Sequence, residues 1–194
     1  MNKFLPLLAG TFLCAALAHG QVIKNNDFSQ AKSHWEGAGQ VVVLDNDQKP
    51  AAATAGGVSQ LQVALNRTAV QEAKQHLFFK ADEAAKVVKI TLVVKTSADF
   101  ARNAEASQFS KDPKWRVDSR HTTKDMAYPN VDLTFRVDAD HHYYLLRNLK
   151  AGGDWQTITG EYPTLGNPTS KTLSVIFPAG TGTIWVKSVS LDPQ

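Results

Sequence analysis

The sequence has 194 residues, of which 43% are hydrophobic and 20% are charged, and its formal net charge is +3. A chain of this length forms one domain that buries about 70% of its unfolded surface. Basic and acidic residues nearly balance and form no basic cluster. We therefore expect no nucleic-acid partner and no binding to a membrane surface.

The N-terminus has the pattern of a secretory signal peptide. Lys3 precedes an apolar run that ends at Leu17, and this run is shorter than the roughly 20 residues that cross a membrane. Ala16 and Ala18 supply the small residues of a cleavage site, so we predict a signal peptide over residues 1–18.

The remainder, residues 19–194, is predicted to be a single domain. Its location is expected to be secreted or periplasmic, without membrane insertion. Cys14 is the only cysteine and lies in the predicted signal peptide, so the mature chain has no disulfide. Stability must then come from the core.

The mature chain begins with a segment rich in turn-forming residues. Residues 22–23 are predicted to start a strand, and the run of Asn and Asp at 25–27 favours turns. Phe28 and Trp35 stand out as large aromatic residues in this polar setting. We expect both to be anchored in the core, and we assign Trp155 to the core as well.

Short segments that alternate apolar and polar side chains occupy most of the chain. This period of two is typical of half-buried β-strands, and glycine and proline turn signals separate the segments. The clearest segment, 87–96, is predicted to place Val88, Ile90, Leu92 and Val94 towards the core. The segment 131–137 has the same pattern, and it is predicted to place Val131, Leu133, Phe135 and Val137 inward and Asp132, Thr134 and Arg136 outward. The predicted strands after the N-terminal segment are 40–44, 58–65, 76–81, 87–96, 131–137, 142–147, 155–162, 172–177 and 183–191.

Residues 68–75 carry the signals of a short helix. Thr68 is a favourable N-cap residue, and Glu72 lies in the first turn that would follow it. One or two helical turns are therefore predicted before the strand 76–81.

A long connection separates the strands 87–96 and 131–137. It exceeds 30 residues, and loops of that length in compact domains are usually functional or disordered. Disordered tracts are poor in aromatic residues, whereas this segment contains Phe100, Phe109, Trp115 and Tyr128. We predict a functional loop over residues 99–130.

The last strand, 183–191, is apolar enough to be clamped between two neighbouring strands. Its alternation shifts by one residue after Lys187, which is how a β-bulge looks in a sequence. Trp185 then points away from the core, and it is either covered by the long loop or exposed as a binding platform. The side chains predicted to face the core are Ile184, Val186, Val189 and Leu191.

About ten short strands with turn signals between them and almost no helical period predict an all-β sandwich. Both ends of the mature chain resemble galactose-binding-like jelly-roll domains. The similarity lies in the run 25–29 followed by Trp35, and in Trp155, the strand 172–177 and the bulged last strand. That superfamily includes many carbohydrate-binding modules. The resemblance implies a two-sheet antiparallel jelly-roll whose N- and C-terminal strands are adjacent, with sugar binding as the commonest activity. Together with the long loop, it leads us to predict a jelly-roll with one long loop insertion that binds a polysaccharide or glycan without catalysis.

Many members of that superfamily hold a structural calcium ion near their paired termini. They use an acidic residue just after the first aromatic residue and an Asp in the last strand. The matching positions here are Ser29 and Lys187, and an ammonium group repels a cation. We expect no calcium there, with Lys187 supplying the positive charge instead, and no other cofactor.

Sugar recognition needs flat aromatic rings for stacking and polar side chains that bond to hydroxyl groups. The long loop, the strand 131–137 and the last strand offer both. Trp115 has an alternative role, which is to pin the loop onto a sheet. The predicted carbohydrate-binding residues are Trp115, Arg116, Arg120, Tyr128, Asp132, Arg136 and Trp185. The alternative function is a structural or protein-interaction domain of the cell envelope that has no sugar ligand.

One cluster, 138–142, has residues of the metal-ligand type. His141 and His142 are consecutive and would point to opposite sides of a strand, while Asp138 and Asp140 are suited to closing a turn. We therefore predict no metal site.

The sequence contains no nucleophile elbow, no metalloprotease helix and no phosphate-binding loop. Asp132 and Glu161 are a carboxylate pair that glycosidase-type chemistry would need, but nothing in the sequence singles them out. We expect no enzymatic activity.

A thermal melt of the mature protein with and without EDTA tests the expected absence of structural calcium. The two midpoints should coincide, because Ser29 and Lys187 occupy the positions that would ligate the ion. A fall of several degrees in EDTA would contradict this expectation.

Overall fold

The computed structural model describes residues 22–78, 87–103, 133–137, 142–146, 149–162 and 170–194. Within these residues the fold is all-β, and its one helical element is the short 3₁₀ turn Ala53–Ala55. The predicted fold class is confirmed. No helix in the described ranges is long and apolar enough to cross a membrane.

Two antiparallel five-stranded sheets form the sandwich within the described residues. The first sheet has the order β1-β4-β10-β7-β8, and its strands are Glu36–Gly37 (β1), Gln71–Phe78 (β4), Ser170–Phe177 (β10), Leu133–Val137 (β7) and His142–Leu146 (β8). The second sheet has the order β2-β3-β12-β5-β9, and its strands are Gln40–Leu44 (β2), Val58–Ala64 (β3), Thr183–Pro193 (β12), Val88–Thr96 (β5) and Gln156–Tyr162 (β9).

A two-stranded ribbon lies beside the sheets. It pairs Ala101–Arg102 (β6) with Gly180–Thr181 (β11). The first residues of the predicted loop 99–130 therefore form a strand. Gly180 permits the pairing, because an added Cβ there would lie 2.3 Å from the carbonyl oxygen of Ala101.

The last strand, β12, is clamped between β3 and β5, as predicted. Its register with β5 shifts between Val186 and Ser188, so Lys187 is the extra residue of a β-bulge. The predicted bulge is confirmed. The four side chains predicted to face the core are each at most 1% exposed: Ile184, Val186, Val189 and Leu191.

The predicted inward faces of β5 and β7 are confirmed where the structure describes them. Val88, Ile90, Leu92 and Val94 are fully buried, as are Leu133 and Phe135. Residues of both sheets belong to one continuous hydrophobic core. Burial of each such side chain stabilises the fold by about 1.5–3 kcal/mol.

The helix predicted over residues 68–75 is wrong. Residues 71–78 form β4, which pairs with β10 along its whole length. Ala73, Gln75 and Leu77 alternate towards the interior and are buried. The ladder with β10 therefore overrides the local helix signals of Thr68 and Glu72.

Residues 22–23 are buried but form a bend, so the predicted strand start is also wrong. The buried amide of Gln75 explains the difference. Its Nε2 donates to the Lys24 carbonyl oxygen, and its Oε1 accepts from the Lys24 N–H, both at 2.8 Å. This side chain takes the place of a neighbouring strand and fixes the N-terminal segment against β4.

Phe28 and Trp35 anchor the N-terminal segment in the core, as predicted. They are 0% and 4% exposed, and their ring centroids lie 5.5 Å apart. The indole N–H of Trp35 donates to the Asn25 carbonyl oxygen at 3.2 Å. Asp27 closes the turn around Phe28, because its Oδ1 accepts from the Ser29 N–H, and this bond lowers the pKa of the Asp27 carboxyl.

The assignment of Trp155 to the core is wrong. Trp155 is half-buried and lies outside the core cluster. Gln156, the next residue, pairs with the inward-facing Val94, so the alternation along β9 turns Trp155 outward. Its ring lies beneath the ammonium group of Lys187, with 5.7 Å between Nζ and the ring centroid.

Substitution of two consecutive residues of β5 tests this division of faces. Leu92→Ala removes a fully buried side chain and should lower the free energy of unfolding by about 2–5 kcal/mol. Thr91→Ala alters the outward-facing neighbour and should cost less than about 1 kcal/mol. Urea unfolding of both variants measures the difference, and equal losses would contradict the assigned orientation of β5.

Candidate functional site

The outer face of the first sheet carries the candidate site, and we call it the first outer face. Ala73, Gln75 and Leu77 of β4 face the core, so the residues between them point to the outside of the sandwich. The ladder places β10 residues beside them in the same orientation. The members of this face on the two strands are Glu72, Lys74, His76 and Phe78 of β4 and Thr172, Ser174 and Ile176 of β10.

The centre of the first outer face is shielded from solvent. Ser174 is fully buried, and Ile176 and Thr134 are 4% and 1% exposed, although all three alternate with core-facing residues. Thr134 was predicted to point outward, and it lies opposite Ile176 in the ladder. The face is therefore not a flat, fully solvated sheet surface.

The rim of the first outer face contrasts with its shielded centre. Phe78 is 65% exposed, and it is the most exposed large hydrophobic side chain in the described residues. His76, one step further into the sheet, is also exposed, and its Nδ1 lies 3.5 Å from the Thr172 hydroxyl. An apolar ring thus lies next to groups that can form hydrogen bonds with a ligand.

A surface cavity of about 250 Å³ opens beside Phe78. The Lys24 ammonium group lies 6.0 Å from the centroid of the Phe78 ring. Typical ligand pockets measure roughly 300–1,000 Å³, so this cavity accommodates one end of a ligand. Its lining residues are Lys24, His34, Trp35, Glu36, His76 and Phe78.

Phe78 was not among the residues that the sequence singled out. The alternation Leu77 inward and Phe78 outward follows once residues 71–78 are recognised as a strand. The predicted strand 76–81 already contained both residues, but the helix predicted over residues 68–75 left only this short piece of β4, and no facing was assigned to it. The signal was therefore present in the sequence, but it depended on the correct assignment of β4.

Most of the predicted carbohydrate-binding residues fall outside the described ranges. Two lie in strands: Arg136 of β7, which is opposite Ser174 of β10, and Trp185 of β12. These strands belong to different sheets, so the structure does not bring the two residues to one surface. The predicted residues outside the described ranges are Trp115, Arg116, Arg120, Tyr128 and Asp132.

The long predicted loop leads directly into the first sheet. Asp132 is the residue immediately before Leu133, where β7 begins. In the sequence, Tyr128 and Asp132 are therefore close to β7, the strand of the first sheet that contains Arg136. Trp185 lies on the outer side of the second sheet, between Gln62 of β3 and Lys95 of β5.

The residues considered for metal binding or catalysis are not assembled in the described part of the chain. Residues 138–141 lie outside it, and His142 begins β8. No group of three or more His, Cys, Asp or Glu side chains that could hold a metal ion occurs among the described residues. Glu161 lies on β9 of the second sheet, whereas Asp132 precedes β7 of the first sheet.

Comparisons with known proteins match this chain through its fold. No protein-family profile matches the sequence, and no curated protein does. Among solved structures, the module TmCBM61 in complex with beta-1,4-galactotriose aligns with a TM-score of 0.54 and 12% identity, over 90% of this chain and 99% of that one.

Two further structures show the same similarity. A family 16 carbohydrate-binding module aligns with a TM-score of 0.52 and 13% identity, over 88% of this chain and 98% of that one. The enzymatically active domain of tailspike protein 4 of bacteriophage CBA120 also has a TM-score of 0.52, with 10% identity over 90% of this chain, but the match covers only 21% of that chain. The protein therefore has the jelly-roll β-sandwich fold of carbohydrate-binding modules, as the sequence resemblance implied.

Proposed function

We propose that this protein is a secreted or periplasmic module that binds a polysaccharide or glycan without catalysing its cleavage. In this proposal, residues 1–18 are a signal peptide and residues 19–194 are the functional domain. The first outer face, together with the loop 99–130, forms the binding site. The observation that carries the proposal is Phe78, which is 65% exposed at the rim of a polar sheet face.

An exposed Phe78 favours a ligand that covers its ring. Burial of a Phe side chain is favourable by about 1.5–3 kcal/mol. The apolar face of a sugar ring provides such a cover, while its hydroxyl groups remain at the edge and need hydrogen-bond partners. His76, Glu36 and Lys24 border the same cavity and supply both donors and acceptors.

The proposed surface also includes the predicted loop residues. The loop 99–130 precedes β7, and Arg136 of β7 is opposite Ser174 on the central strand of the first sheet. In our proposal, Trp115 and Tyr128 stack on further sugar rings. Arg116, Arg120, Asp132 and Arg136 bond to hydroxyl or acidic groups.

The similar structures support the class of ligand. TmCBM61 was solved with a galactotriose, and a second structure with this fold is also a carbohydrate-binding module. Both align along nearly their whole length, so the shared region is the entire module rather than a part of a larger enzyme.

A structural or protein-interaction domain is the competing function. The shielded centre of the first outer face, with Ser174 and Ile176 buried, favours this alternative because it leaves less open groove for a sugar chain. An exposed aromatic such as Phe78 also suits a protein interface. The two functions differ in whether a purified glycan alone is retained.

A glycan array and a pull-down on insoluble polysaccharides, both with residues 19–194, test the proposal. Wild-type protein should be retained by at least one glycan. Phe78→Ala should bind it about tenfold or more weakly, since 1.4 kcal/mol corresponds to a factor of ten. Trp115→Ala should weaken binding in the same direction.

The matched control is Val87→Ala. Besides Phe78, Val87 is the exposed large hydrophobic residue of the described part of the chain, at 43%, and it precedes β5 of the second sheet. This variant should bind like the wild type, and thermal melts should show all variants folded. Retention by no glycan would refute the proposed function, and full binding by both Phe78→Ala and Trp115→Ala would refute the proposed site.

A further inference from the structure

The outer face of the second sheet has its own organised row of side chains, and we call it the second outer face. Gln40 of β2 is opposite Gln62 of β3, Gln62 is opposite Trp185 of β12, and Trp185 is opposite Lys95 of β5. The row runs across four neighbouring strands. It lies on the opposite side of the sandwich from Phe78.

Trp155 and Lys187 extend this row. Trp155 immediately precedes β9, beside the end of β5 where Lys95 lies. The bulge at Lys187 brings its ammonium group over the Trp155 ring, at 5.7 Å from the centroid. Trp185 and Trp155 are both half-buried. Because only β5 separates their strands, they are about 10 Å apart across the sheet, which suits an extended ligand.

Two buried polar atoms on this face have no hydrogen-bond partner among the described residues. One is the indole Nε1 of Trp185, a donor, and the other is Oε1 of Gln60, an acceptor. Gln60 is only 2% exposed. It precedes Leu61, the partner of Val186, so it lies on the side of Lys187. Buried polar groups are rarely left unpaired, so these two atoms mark the place on the second outer face where the hydrogen bonding of the described chain is incomplete.

Two lysines place positive charge beside the indole rings of the second outer face. Lys95 and Lys187 are half-buried, and within the described residues neither forms an ion pair. Lys95 Nζ donates to the Asn46 carbonyl oxygen at 3.5 Å. The side chain of Lys95 therefore contacts the loop that follows β2.

A groove continues the row at its other end. It has a volume of about 350 Å³, and Gln40 and Gln62 line it together with Gly39, Ala64 and Gln71. The Gln40 amide nitrogen donates to the Gln62 Oε1 at 3.4 Å. The second outer face thus combines two indole rings, three amide side chains and two ammonium groups in one strip.

We propose that the second outer face is a separate binding site for an acidic polysaccharide, one whose sugars carry carboxylate groups. The indole rings of Trp185 and Trp155 stack on sugar rings, and Lys95 and Lys187 pair with carboxylates. Gln40 and Gln62 bond to hydroxyl groups. This site does not depend on the first outer face, and with both sites the protein would join two glycan chains.

Binding of the mature protein to polygalacturonate, measured by isothermal titration calorimetry, tests the site. A carboxyl-reduced form of the same polymer is the neutral comparison, and polyglutamate is the comparison for charge without sugar. Wild-type protein should bind polygalacturonate and should bind each comparison polymer about tenfold or more weakly. Equal binding of either comparison polymer would overturn the proposal.

Variants locate the site. Lys187→Gln and Trp185→Ala should each weaken binding of polygalacturonate by about tenfold, and Trp185→Phe, which keeps a ring, should lose less. Lys89→Gln is the matched control, because Lys89 lies on the same side of β5 about 20 Å from Lys95. It should bind like the wild type.

A double variant separates this site from the first outer face. Lys187→Gln should weaken the binding of polygalacturonate by the same factor in the Phe78→Ala background as in the wild type. The proposal is overturned if polygalacturonate does not bind, if Lys187→Gln and Trp185→Ala bind it normally while folded, or if Lys187→Gln causes no further loss in the Phe78→Ala background.

Discussion

The burial of the last strand is the constraint on which the second sheet depends. β12 lies between β3 and β5, and four of its side chains occupy the core at 1% exposure or less. Those four residues do not follow a strict alternation, because Val186 and Val189 are three positions apart. The chain resolves the conflict with one extra residue, Lys187, in a β-bulge.

The bulge has consequences on the other side of the same sheet. It keeps Trp185 and Lys187 both away from the core, and it brings the ammonium group of Lys187 to the ring of Trp155. A strictly alternating strand without the extra residue would turn either Val189 and Leu191 or Ile184 and Val186 out of the core. Core packing and the composition of the second outer face are therefore set by one local feature.

The first sheet is organised by a different contact. From residue 22 onward, the N-terminal segment forms no strand before β1, and the Gln75 amide holds it through two hydrogen bonds to Lys24. The Val189 N–H of β12 also donates to the Asn26 carbonyl oxygen of this segment at 2.9 Å. Lys24 in turn lies near the exposed ring of Phe78. The N-terminal segment, which inserts Phe28 and Trp35 into the core, thus also lines the cavity at the rim of the first outer face.

Alternation of side chains accounts for what the sequence could predict. The inward faces of β5, β7 and β12 and the position of the bulge follow from the period of two, because burial selects apolar residues on one face only. The same rule would have turned Trp155 outward. Its assignment to the core did not use the alternation along residues 155–162.

Long-range pairing accounts for what the sequence could not predict. Thr68 and Glu72 carry local helix signals, and only the ladder with β10 makes residues 71–78 a strand. Arg136 and Trp185 were assigned to one site, because a sequence does not reveal which sheet a strand joins. The structure assigns them to different sheets. The outward orientation of Phe78 likewise could not be predicted without knowing that β4 pairs with β10.

The central claim is that the first outer face binds a glycan, and amide chemical-shift mapping tests it most directly. The mature protein would be titrated with a soluble oligosaccharide of a glycan that it retains. The account predicts that the largest shifts occur at His76, Phe78 and Thr172, around the cavity beside β4. Shifts confined to other parts of the molecule, with none at these three residues, would contradict it.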